Sequence, residues 1–167
     1  MANLSFQHDI LPLKNELYRL ALRITQNPAE AEDTVQETFI KVWNRRDEWD
    51  AIESIEAFCL TVCRNLALDK QRRMDNQAAS LDADYDPADR SASADPEQQA
   101  IQRNRVELVR AIIDTLPEKQ RTCMQLRDIE GKSYRDIATI LGITEQQVKV
   151  NIFRARQTVR ERFQRFN

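Results

Sequence analysis

The chain has 167 residues, of which 41% are hydrophobic and 31% charged, enough for one or two small domains with modest cores. Its two glycines and five scattered prolines exclude a Gly-rich phosphate loop, a collagen repeat and a hairpin-rich β fold. The net charge of −2 conceals an asymmetry: −2 over residues 1–73, −6 over 74–100 and +6 over 101–167, so the C-terminal third is the candidate anion-binding part.

In chain order, residues 4–26 read as a helix, with Leu13, Leu17, Leu20, Ala21 and Ile24 on one face. Asn27 and Pro28 then supply a cap and a first-turn proline for a second helix reaching about Arg46. On it Ala31, Val35, Thr38, Phe39 and Val42 point one way, while Asp33, Gln36, Glu37, Ile40 and Asn44 point the other. An apolar residue ringed by polar ones suits a partner interface, although a charged stripe is also what an ordinary solvated face looks like. Reading Asp33 and Glu37 as an acid–base pair fails for want of a nearby histidine, the lone one being His8, and of any recognisable cleft. No catalytic residue is assigned, and the chain is not expected to be an enzyme.

A third helix is expected from Ser54 to Arg72-Arg73. Its end carries Arg64, Asn65, Lys70, Arg72 and Arg73, which suit either a solvated helix terminus or a surface for single-stranded nucleic acid. Trp43, Trp49 and Phe58 are assigned to the core, although Trp49 falls in the 45–53 loop. Cys59, Cys63 and Cys123 are too few for a disulfide framework and lack further zinc ligands, so they are read as small buried hydrophobes, with neither metal nor cofactor expected. Residues 75–96, rich in Asp, Ala and Ser, have the composition of an acidic tether.

Helical pattern resumes near Pro96 and stops at Leu116-Pro117; another helix runs from Glu118 to a terminating Gly131. Two more follow, Ser133–Leu141 and Thr144 to about Phe163. Small Ala138, Gly142 at the turn, the Thr144 cap and apolar Ile137, Leu141, Ile143 and Val148 are spaced as in a helix-turn-helix. With Val148, Ile152, Ala155 and Val159 buried, the last helix turns Gln146, Gln147, Val150, Phe153, Arg154 and Gln157 outward, flanked by Lys149, Asn151 and Arg156. Amides, guanidinium groups and apolar side chains together suit a DNA groove. The fold class is all-α: two small helical domains, 1–73 and 101–167, joined by an acidic linker at 74–100. With no apolar run near the ~18 residues of a membrane span and no signal-peptide pattern, a cytoplasmic location is expected.

These segments together resemble the extracytoplasmic-function (ECF) class of bacterial RNA polymerase sigma factors. Asp33-Thr-Val-Gln36-Glu37-Thr-Phe39 is similar to the motif with which that family docks on core polymerase. Leu116-Pro117, the run Leu126 to Ala138 and the run Val148 to Arg156 are similar to its promoter-reading C-terminal domain. Phe58-Cys59-Leu60 departs from the tryptophan the family more often places before this leucine. The resemblance implies that Asp33, Gln36, Glu37 and Ile40 bind core polymerase, that Arg64, Asn65, Lys70, Arg72 and Arg73 with the 45–53 loop hold the minus-ten element, and that Gln146, Gln147, Lys149, Asn151, Phe153, Arg154 and Arg156 hold the minus-thirty-five element. The implied partners are core polymerase, through its β′ clamp and β flap, promoter DNA and an anti-sigma factor. A stand-alone helix-turn-helix regulator would explain the C-terminal third but not the Asp33–Phe39 stripe, and an adaptor with no DNA contact would not explain the arginine-rich last helix.

Overall fold

The computed structural model describes residues 3–80 and 105–166, and the acidic tether and the expected helix start at Pro96 fall outside these apart from the tether's first residues. Among the described residues every regular element is helical. The first expected helix is divided. A π-helical turn covers Phe6–Ile10 and a 3-10 turn Leu11–Leu13, before helix α1, Lys14–Thr25. Pro12 explains the division, because its ring excludes the preceding turn of an α-helix and it has no N–H to donate.

Helix α2 spans Pro28–Asn44, and Asn27 caps it by accepting from the Glu30 amide at 3.1 Å. A 3-10 turn, Arg46–Ala51, leads to α3, Ile55–Ser80, which continues seven residues past Arg73. The expected domain boundary at residue 73 therefore lies inside a helix. Gln71 to Ala79 contains neither glycine nor proline, so nothing local stops the helix there.

The C-terminal unit comprises α4, Arg105–Ile113, α5, Glu118–Met124, a π-helical turn Gln125–Ile129, α6, Tyr134–Leu141, and α7, Glu145–Arg165. Gly131 and Gly142 adopt φ of +73° and +68°, left-handed conformations that a side chain would strain. Gly142 closes α6 and allows the turn into α7. Thr144 accepts from the Gln147 amide while the Gln147 side chain accepts from the Thr144 amide, so both caps of the α7 start are made.

Helices α1, α2 and α3 pack on one another, and α7 is packed by α4, α5 and α6. The two units also meet, α6 lying on α3 and α5 on α1. Leu126, Ile137, Ile140 and Leu141 from the second unit join Leu17, Leu20, Leu60 and Cys63 from the first in one continuous buried cluster. Each such side chain contributes on the order of 1.5–3 kcal/mol by leaving water. Polar contacts rim this seam. Arg19 forms a two-point ion pair with Glu130 at 2.7 Å, Arg23 bonds Asp114 at 2.7 Å and Gln125 at 3.1 Å, and Arg64 forms a two-point pair with Glu118 at 3.0 and 3.1 Å. Lys132 reaches Glu16 at 2.7 Å and also pairs with Glu56.

Candidate nucleic-acid and partner interfaces

The α2 surface follows from its periodicity. Ala31, Thr34, Val35, Thr38 and Val42 are buried; Asp33, Gln36 and Ile40 are exposed and Glu37 is half-buried. Ile40, at 59% exposure, is an apolar side chain with little cover on an otherwise polar face. The four residues expected to bind core polymerase thus share one side of one helix. The hydrogen bond from Lys70, followed by the charge of that ammonium, holds the Asp33 carboxyl below the usual aspartate range. Burial works against the Lys70 charge, but its bonds to Asp33 and Glu37 outweigh that and raise its pKa.

The residues expected on the minus-ten element separate into two groups. Asn65, Arg72 and Arg73 are exposed on α3. Asn65 lines an open cleft of about 420 Å³ with Lys41, Asn44, Arg45 and Asp69. Arg64 and Lys70, by contrast, are buried, Arg64 facing Glu118 across the seam and Lys70 facing the α2 carboxylates. Helical spacing explains this: Arg64, Ala67 and Lys70 follow at i, i+3 and i+6, on the side of α3 that packs against its neighbours. Lys41 and Arg45 were not singled out from sequence, because their closeness to Asn65 depends on how α2 crosses α3.

Of the two tryptophans assigned to the core, Trp49 lies there and Trp43 does not. Trp49 is 7% exposed and its indole N–H donates to the Val42 carbonyl at 3.0 Å, which makes the 45–53 segment a docked turn instead of an open loop. Trp43, assigned to the core, is 46% exposed, with the Arg46 guanidinium 4.7 Å from its ring centroid. It is Trp43, then, that offers an aromatic face to solvent near the α2 terminus. The cysteines are free and buried as read from sequence, and burial pushes each thiol up to about 12. Among the described residues no group of cysteine, histidine and carboxylate side chains could hold a metal.

Helix α7 presents the expected face. Val148, Ile152 and Ala155 are buried, whereas Phe153 is 67% exposed and Val150 36%. Gln146, Gln147, Lys149 and Arg154 are exposed beside them, and Asn151 is partly exposed, its amide donating to the Gln147 carbonyl at 2.8 Å. Arg156 forms a two-point pair with Asp128 at 2.5 and 3.0 Å, so one of its faces is already occupied. Two residues join this surface unforeseen. Lys119, from the start of α5, lines one groove with Gln146, Gln147, Asn151 and Arg154. Tyr134 lines another with Lys149, Phe153 and Arg156, its ring 4.3 Å from the Arg127 guanidinium and 5.6 Å from the Lys149 ammonium.

Comparison with known proteins agrees with this geometry. Residues 10–77 match the family model described as Sigma-70 region 2 and residues 107–159 that described as Sigma-70, region 4. The chain is 35% identical over 151 residues to the ECF RNA polymerase sigma factor SigE of Mycolicibacterium smegmatis, and 31% identical over 160 residues to the RNA polymerase sigma-H factor of Pseudomonas aeruginosa. These alignments cover 88% and 90% of this chain, 57% of SigE and 83% of sigma-H. A third relative, the probable RNA polymerase sigma factor RfaY of Xanthomonas campestris, is 33% identical, and 39% of its length is covered. The chain thus spans about half the length of two of its curated relatives and most of the third. In fold it is similar to the sigma factor RpoE co-crystallised with the anti-sigma factor NepR from Bartonella quintana, with a TM-score of 0.75, 23% identity, and coverage of 93% of this chain and 94% of that one. The structure of CnrH in complex with the cytosolic domain of CnrY gives a TM-score of 0.67 at 20% identity, covering 93% of this chain and 85% of that one. With both sigma regions matched in order, and the α2 and α7 surfaces where those regions fall, the chain belongs to the ECF family of RNA polymerase sigma factors.

Proposed function

We propose that the chain directs core RNA polymerase to specific promoters as an ECF sigma factor and is not itself an enzyme. The observation that carries this is the presence in one chain of two unlike surfaces: the acidic α2 face around Ile40 and the basic-and-apolar α7 face around Phe153. The first suits a basic protein surface and the second a DNA major groove. On this reading Asp33, Gln36, Glu37 and Ile40 bind the β′ clamp, and Gln146, Gln147, Lys149, Asn151, Phe153 and Arg154 read the minus-thirty-five element, with Arg156 at its edge.

Asn65, Arg72 and Arg73 hold the separated strand at the minus-ten element, and Lys41 and Arg45 add positive charge along the Asn65 cleft. Arg64 joins them only if its pair with Glu118 opens. The domain division follows the same reading: the N-terminal unit serves core and minus-ten binding, the C-terminal unit minus-thirty-five binding and the β flap. The likeness to a sigma factor solved with its anti-sigma factor supports a regulatory partner of that type here. No helix among the described residues is long and apolar enough to cross a membrane, which is consistent with work in the cytoplasm beside the polymerase.

The test is reconstitution. Purified chain added to sigma-free core polymerase should produce transcripts starting at a matched promoter and none from a scrambled one. A stand-alone helix-turn-helix regulator would bind the DNA and produce no transcript.

A further inference from the structure

Lys70 belongs by sequence with Arg72 and Arg73, but its environment differs from theirs. The Arg72 side chain is 73% exposed, that of Lys70 7%. From α3 the Lys70 ammonium donates to Asp33 Oδ2 at 2.5 Å and to Glu37 Oε1 at 3.2 Å, and lies 3.7 Å from Glu30 Oε2. Glu30, Asp33 and Glu37 follow at i, i+3 and i+7 along one stripe of α2, where like charges repel one another. An ammonium has three protons and accepts nothing, so one lysine at the centre of three carboxylates can bond to each and offset that repulsion. The acids themselves stay open to a partner: the side chains of Glu30, Asp33 and Glu37 are 39%, 55% and 41% exposed.

A DNA contact by Lys70 would require breaking these bonds and bringing a buried ammonium to the surface. Holding the acids requires no rearrangement. We infer that Lys70 is a positioning residue for core-polymerase binding, keeping Asp33 and Glu37 in one arrangement on the α2 face. The inference rests on the reading of that face as the core-binding surface. The lysine pre-pays the ordering of two side chains that association would otherwise have to freeze, and it leaves a net negative cluster for a basic partner.

Four full-length proteins decide it: the natural chain, Lys70→Met, the double variant Asp33→Asn with Glu37→Gln, and all three changes together. Each is titrated with core polymerase after its helical circular dichroism is checked. Lys70→Met should weaken core binding about tenfold, the effect of freeing two side chains. The triple variant should bind no more weakly than the double, because Lys70 acts through the two acids. Saturated holoenzyme carrying Lys70→Met should hold a single strand with the minus-ten sequence as the natural one does. Natural core affinity for Lys70→Met, an equal further loss in the double background, or a loss confined to strand binding would each overturn the inference. If the double variant binds core normally, the core-binding reading of α2 itself fails, an outcome distinct from a failure of Lys70 alone.

Discussion

The Arg64–Glu118 pair offers a quantitative test of how the two helical units are held together. Its side chains are 8% and 19% exposed, and the guanidinium meets the carboxylate through two nitrogens at 3.0 and 3.1 Å. Glu118 also accepts from the Thr122 hydroxyl at 2.8 Å, which fixes its rotamer. Removing one partner of a buried pair costs about 3–5 kcal/mol, because the other charge is left uncompensated, whereas an exposed pair is worth about 0–1 kcal/mol. The partial exposure of Glu118 puts either single alanine variant at about 2–3 kcal/mol, with a coupling energy of roughly 1.5–2 kcal/mol. Arg135 and Glu53 span the same seam at 2.9 Å but are 72% and 84% exposed, so they form an internal control. Urea unfolding of the two alanine singles and the double, for each pair, gives both couplings. That of Arg64–Glu118 should persist in about 0.5 M salt, where that of Arg135–Glu53 disappears, since screening acts on exposed charges. Additive costs at Arg64 and Glu118, or a coupling erased by the same salt, would refute the claim that this seam is desolvated. Because α3 and α6 share one apolar cluster, the chain should also unfold in a single transition.

Charge reversal of Asp33 and Glu37 together should abolish pull-down of core polymerase while leaving the helical spectrum unchanged, and retained binding would remove α2 from the core interface. Arg154→Ala should weaken the preferred upstream element more than a scrambled duplex, by about 1–3 kcal/mol of discrimination if the guanidinium reads a guanine, as measured by competition titration. With their thiols pushed up to about 12 by burial, Cys59, Cys63 and Cys123 should stay protonated and unreactive toward a thiol reagent at pH 8, and all three should react once urea unfolds the chain. Asp33, whose folded pKa lies below the ordinary value, contributes stability present above that ordinary value and lost as pH falls through the folded one. The α2–α3 contact should therefore loosen only in acid, below about pH 4, and amide exchange along α2 would show it.

The helices of this chain are written locally. Asn27 before Pro28, Thr144 before Glu145, and Gly142 at a left-handed turn are caps and stops that act within four residues, so they were legible without any neighbour. So was the outward face of α7, because burying Val148, Ile152 and Ala155 leaves Phe153 and Arg154 nowhere to point but outward. Other features depend on contacts between elements far apart in sequence, which periodicity cannot supply. Arg64 and Lys70 look like parts of a basic helix end until α5 brings Glu118 to one and α2 brings Asp33 and Glu37 to the other. Trp49 finds the Val42 carbonyl because the 3-10 turn folds back on α2, and this leaves Trp43 outside. A charged group buried at a seam and one standing in water carry the same letter in a sequence; only the approach of a second helix, bringing an opposite charge and removing the solvent, decides which it becomes.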